Sequence, residues 1–176
     1  SIFNQRFFAT APLLLAGSDS QGLRYGTSGT PEQFYVQWKD EHSSSEPLPG
    51  VLLDGPLQQI FNKARLLDLI RNFIIFDAGQ KKVPRAHQYA GIKAAQVRIE
   101  QRQGGVIWHT QGSGKSILMV LLAKWLLEHD PEARILVVTD RDELDKQIVG
   151  VMRNAGVVGE DDPSPRIASR SDMVQK

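Results

Sequence analysis

The residues with the clearest chemical purpose are His109-Thr110-Gln111-Gly112-Ser113-Gly114-Lys115-Ser116. Two glycines one residue apart let a backbone turn its N–H groups inward toward an anion. A Lys directly after them can reach the β- and γ-phosphates of a nucleotide, and the Ser that follows can offer its hydroxyl to Mg²⁺. Such a loop needs a helix N-terminus behind it, where unpaired N–H groups and the helix dipole favour phosphate. The general phosphate-loop pattern has Gly where His109 stands, so the match fails at that position. The competing reading is a strand-to-helix turn with incidental glycines, and the spacing and flanking apolar runs argue against it.

Two further segments carry candidate chemistry. Val137-Val138-Thr139-Asp140-Arg141-Asp142-Glu143-Leu144 is an apolar run ending in Asp, the form of an element that holds Mg²⁺. Arg141 stands where a second acid would be expected, however, and this is the first apolar run after the loop. Asp140 equally suits a helix N-cap, with Asp142 and Glu143 favourable in the first turn. Arg141, beside that helix N-terminus, is a candidate for contact with a nucleic-acid phosphate. In Arg85-Ala86-His87-Gln88, the Gln88 amide could both donate to and accept from the N6/N7 edge of adenine. A lone Gln on an amphipathic helix is equally well explained as a solvated residue.

What the sequence lacks narrows the chemistry. None of its acidic residues is followed two positions later by Lys, so the acidic-x-Lys core of a common metal-dependent nuclease is missing. No apolar run ends in Asp-Glu, and there is no Ser nucleophile elbow. No catalytic residue is therefore expected within this chain. Cys is absent, which excludes a disulfide framework, a zinc-thiolate site and a Cys nucleophile. The four His are scattered and form no local metal motif.

These residues must be positioned by the elements around them. Val106-Ile107-Trp108 and Ile135-Leu136-Val137-Val138 are short continuous apolar runs, and helices are expected over Ile117–Leu127 and near Arg141–Arg153. Strand, helix, strand, helix with unalternated strands predicts a parallel sheet covered on both faces. Before it, a helical stretch runs from about Pro84 to Arg102 and ends at Gly104-Gly105. Leu57, Ile60, Phe61, Ala64, Leu67, Ile70 and Ile74 recur at helical steps, with Pro56 in the first turn, and predict one helix or two abutting ones. Residues 1–50 read as β-rich and loop-rich, closing in the Ser- and Pro-rich connector Ser43–Gly50. The expected segments are 1–50, 51–103 and 104–176.

Overall composition is that of a soluble globular chain: 176 residues, 41% hydrophobic and 23% charged, with a net charge of +1. That balance gives no global argument for nucleic acid, so any such contact must be local. Arg6 followed by Phe7 through Ser18 has the outline of a signal-peptide core, but Pro12 interrupts it and a buried strand pair is expected instead. No apolar run is long enough to span a membrane.

The motifs together resemble the motor (restriction, R) subunit of type I restriction-modification enzymes. The resemblance rests on Gly104 through Ser116, on Val138 through Gln147 and on Ala64-Arg65-Leu66-Leu67-Asp68-Leu69-Ile70-Arg71-Asn72-Phe73. Tyr25-Gly26-Thr27 and Gln37-Trp38-Lys39 are similar to the segment after that family's nuclease core. His109 ceases to be an anomaly, because His-Thr-Gln before Gly-Ser-Gly-Lys-Ser is characteristic of the family. The resemblance implies an α/β fold: the start of a RecA-like, parallel-sheet motor lobe of helicase superfamily 2, preceded by a helical connector and the β-rich tail of a nuclease domain. It implies an ATP-dependent double-stranded DNA translocase and endonuclease subunit, working with modification and specificity subunits in a bacterial or archaeal cytoplasm. ATP would be bound by Gln88, Thr110, Gly112, Ser113, Gly114, Lys115 and Ser116, with Ser116 toward Mg²⁺, and DNA by Asp140 and Arg141. The family's nuclease acids and Asp-Glu box find no match here, so the chain reads as an internal fragment, inactive by itself. The alternatives are a non-catalytic linker or docking segment, and a phosphate-loop ATPase of another DNA-repair helicase family.

Overall fold

The computed structural model describes residues 2–39, 52–77, 79–140 and 142–159. It opens with helix α1 (Ile2–Thr10), where the sequence predicted strand. Pro12 stops this helix by disfavouring the helical conformation in the residue before it. Phe7 and Phe8 stay exposed, their rings edge to face at 5.5 Å. The expected strand pair begins just beyond. Strands β1 (Leu14–Ser18) and β2 (Gly22–Gly26) form an antiparallel hairpin with Leu14 opposite Gly26, and β3 (Val36–Gln37) pairs along the other side of β2. The central strand alternates: Leu23 and Tyr25 are buried and Arg24 is exposed.

The connector is helical, as its periodicity predicts, but it is two helices. Helix α2 (Asp54–Ile60) stops at Phe61, and α3 (Lys63–Asn72) restarts at Asn62, whose side chain accepts from the Arg65 N–H at 3.2 Å. That break resets the helical phase. The buried residues are Ile60, Leu69 and Phe73, whereas Leu67 and Ile70, expected in the core, are exposed. A short hairpin of β4 (Ile75–Asp77) and β5 (Gln80–Lys82) follows where the sequence suggested continued helix. Then come α4 (Ala86–Glu100), α5 (Lys115–His129) and α6 (Asp142–Asn154), each close to its predicted position. Among the described residues no helix is long and apolar enough to cross a membrane.

One buried cluster draws on all three predicted segments: Leu23, Tyr25 and Trp38 meet Ile60, Leu69, Phe73, Ile75 and Ile92, together with Leu118 and Leu121. A second, smaller cluster joins α5 to α6 through Val120, Ala123, Ile148, Val151 and Met152. Around Trp38 the packing is both aromatic and charged. Tyr25 and Tyr89 flank its ring at 5.6 and 5.7 Å, and the Arg65 guanidinium lies 5.5 Å above it. Asp68 accepts from Asn72 at 2.7 Å and from the Tyr89 hydroxyl at 3.0 Å, and pairs with Lys93 at 3.1 Å. Burial works to raise the Asp68 pKa, but the hydrogen bonds from Asn72, Lys93 and Tyr89 outweigh it and hold the carboxyl below its ordinary value. The Tyr89 hydroxyl is pushed up to about 12, by burial first and by the Asp68 charge second.

The parallel sheet expected from Val106–Trp108 and Ile135–Val138 is not formed among the described residues. The sheets there are the antiparallel β1-β2-β3 and β4-β5. Val106, Trp108 and Val138 are more than four-fifths exposed, and Leu136 is 58% exposed. Covering both faces of a parallel sheet takes neighbouring strands on each side as well as helices, and two apolar runs are too few.

Candidate phosphate-binding site

The loop from His109 to Lys115 opens directly into α5, and its backbone explains its composition. Gly112 and Gly114 have φ of 77° and 80°, the left-handed region that side chains disfavour. Gly114 is the N-cap of α5, and no side chain caps that end. The orphan N–H groups of the first turn are thus available beside the loop, as anion binding requires. The ammonium of Lys115 curls back and donates to the carbonyls of His109 at 3.0 Å and Thr110 at 2.9 Å. It is thereby held within the curve of the loop, at its exposed face. Ser113 is buried, yet its Oγ has no hydrogen-bond partner, a costly arrangement that a polar ligand would relieve. Ser116 is half-buried in the first turn of α5.

Helix α4 braces this loop from behind. Gln88 is buried at its third position and works at both ends of its amide. Its Oε1 accepts from the Arg85 N–H at 2.8 Å, closing the first turn of α4, and its Nε2 donates to the carbonyls of Ser113 at 2.9 Å and Gly114 at 3.1 Å. His87 Nε2 approaches the Ser113 carbonyl at 3.3 Å. The imidazole of His109, the residue at odds with the general loop pattern, stands edge-on to His87 at 4.9 Å and lies over Gly91, where an added Cβ would come within 3.4 Å of it. A large residue at 109 therefore serves to dock the loop on α4.

The predicted nucleotide-site residues Gln88, Thr110, Gly112, Ser113, Gly114, Lys115 and Ser116 thus fall together. A cleft of about 350 Å³ runs beside them, walled by Arg85, Gln88 and Ser113 on one side and by Thr27, Ser28 and Lys81 on the other. Sequence reasoning did not anticipate that second wall. Thr27 is buried there, and its hydroxyl donates to the Lys81 carbonyl at 2.8 Å. Its sole sequence signal was the Tyr25-Gly26-Thr27 turn. Asp140 is exposed just before α6, whose first turn carries Asp142, Glu143 and Asp145. Arg141 lies outside the described residues. No group of three or more His, Asp or Glu able to hold a metal occurs among the described residues.

Comparison with known proteins agrees with this geometry. The SWI2/SNF2 ATPase family model matches residues 87–176, beginning on the helix that braces the loop. The chain is 38% identical to the type I restriction enzyme HindI endonuclease subunit of Haemophilus influenzae, over 74% of this chain and 14% of that protein. It is 33% identical to the putative type I restriction enzyme MjaIXP endonuclease subunit of Methanocaldococcus jannaschii, over 73% of this chain and 13% of that protein. The putative MjaVIIIP endonuclease subunit of the same archaeon is 30% identical, over 63% and 11%. The chain therefore spans 11–14% of the length of these relatives. With its matched half starting at His87, the chain belongs to the SWI2/SNF2 ATPase family and is a relative of type I restriction endonuclease subunits.

Proposed function

We propose that this chain is the nuclease-to-motor junction and the first part of a RecA-like ATP-binding lobe, within an ATP-dependent DNA translocase and endonuclease subunit of a type I restriction enzyme. The observation that carries this reading is the loop itself: two left-handed glycines, an inward-curled Lys115 and an uncapped α5 N-terminus, in a chain of this family. The donor set fits a nucleotide triphosphate with Mg²⁺, since backbone N–H groups, an ammonium and a hydroxyl are what its phosphates and metal require. The unpartnered buried Oγ of Ser113 supports the same fit.

In this reading the N–H groups of Gly112, Ser113 and Gly114 bind phosphate oxygens, and Thr110 helps shape the loop. Lys115 exchanges its two carbonyl partners for the β- and γ-phosphates, and Ser116 faces Mg²⁺. Bound ATP supplies the free energy of phosphoanhydride cleavage for movement along DNA. Asp140 and Arg141 lie in the segment that tracks double-stranded DNA, through phosphates rather than bases. The modification and specificity subunits of the complex are its partners, in the cytoplasm of a bacterium or archaeon.

The test is displacement of a third strand from a DNA triplex by the complete restriction complex. ATP-driven displacement is expected with the wild-type subunit and its loss with Lys115→Ala. Undiminished displacement by the variant would overturn the proposal.

A further inference from the structure

We infer that Gln88 is a positioning residue for the phosphate loop, acting on nucleotide through the loop backbone rather than by reading the base. The inference rests on the nucleotide-binding role proposed above and goes beyond it. A Gln amide has two N–H donors and an oxygen acceptor. In Gln88 the oxygen is taken by the Arg85 N–H, and the nitrogen serves the carbonyls of Ser113 and Gly114. Pairing bidentately with an adenine edge needs one donor and the acceptor together, and the acceptor is committed to the first turn of α4. The side chain is only 4% exposed.

The loop is built around this contact. An added Cβ at Gly114 would collide with Gln88 Nε2, so the glycine provides both the left-handed turn and the close approach of the amide. The chemistry also selects Gln over Glu. A carboxylate could still accept from the Arg85 N–H, yet it would face two carbonyl oxygens with nothing to donate. By tying those two carbonyls back, Gln88 leaves the N–H groups of the turn pointing outward, and an ordered loop binds phosphate without first losing conformational freedom.

The experiment compares ATP, GTP and inorganic tripolyphosphate, with Mg²⁺, as ligands of the complete subunit. Gln88→Ala and Gln88→Glu are set beside wild type, and hydrogen exchange is followed at the 112–115 amides without nucleotide. Gln88→Glu keeps the α4 cap, so it guards against simple unfolding of that turn. The inference predicts that both variants weaken ATP and tripolyphosphate by the same factor, about tenfold for two lost hydrogen bonds. It also predicts an unchanged ATP-to-GTP ratio and faster exchange in the loop. Weakened ATP with unchanged tripolyphosphate and a collapsed ATP-to-GTP ratio would make Gln88 an adenine reader and overturn the inference. Unchanged affinity for both ligands would overturn it too. If wild type and Lys115→Ala bind tripolyphosphate alike, the phosphate-loop reading itself falls and carries this inference with it.

Discussion

The two sides of the phosphate loop differ sharply. Behind it, α4 presents Gln88, His87 and the aromatic cluster of Trp38, Tyr89 and Phe73, a region in which rings, cations and carboxylate are mutually satisfied. On the other side, the apolar segments Val106–Trp108 and Ile135–Val138 flank the same loop and helix with most of their side chains in solvent. The loop is thus held from one side by polar side-chain contacts and is not held from the other by a sheet. A phosphate loop can take its shape from local glycine geometry and one bracing helix. The strand packing that usually accompanies it is a separate, long-range matter.

Substitutions should separate the two sides by size of effect. Leu121 is almost fully buried where α5 meets the main cluster, so Leu121→Ala should cost about 2–5 kcal/mol, read as a fall in thermal midpoint of several degrees or more. A loss below about 0.5 kcal/mol would mean that the braced side is not packed as described.

A smaller, pH-dependent effect is expected at Asp68. Its folded pKa is held below the ordinary value, so its contribution is present above the unfolded pKa, roughly 3.9, and fades as pH falls through the folded value. Asp68→Ala should therefore destabilise by about 1–3 kcal/mol at neutral pH. In chemical denaturation, the gap between wild type and variant should close as pH drops below about 4. A gap independent of pH would remove the charged network from the account.

The smallest effect belongs to the exposed side. Val138→Ser should change the stability of residues 1–176 by no more than about 0.5 kcal/mol, because the side chain is already 83% exposed. In the complete subunit, where the proposed lobe would bury this strand, the same change should cost about 1–3 kcal/mol. Equal small effects in both contexts would argue against a RecA-like sheet at this position.

The phosphate loop was legible because its physical demands are local: glycines, Lys and a helix start within eight residues. Helices α4, α5 and α6 were legible from continuous periodicity. The connector's buried face was misread because Asn62 breaks the helix, and a period counted from Leu57 does not survive the break. Hairpin β4–β5 was hidden because Ile74-Ile75-Phe76 extends a helical run as readily as it forms a three-residue strand. The work of Gln88 was illegible for two reasons. Its loop partners are 25 and 26 residues away, and Arg85 is not a residue type that announces a helix cap. The parallel strands were inferred from apolarity alone, and strand pairing is decided by neighbours that composition does not reveal.

The central claim is that Lys115 and its loop bind the phosphates of ATP. Calorimetric titration of Mg-ATP into the complete subunit, wild type against Lys115→Ala, tests it most directly. Charge-assisted hydrogen bonds of about 1.5–3 kcal/mol predict affinity weakened by roughly ten- to a hundredfold or more. The thermal midpoint without nucleotide should barely change, since the ammonium is exposed and bonded only to loop carbonyls. Equal ATP affinity in the two proteins would contradict the account.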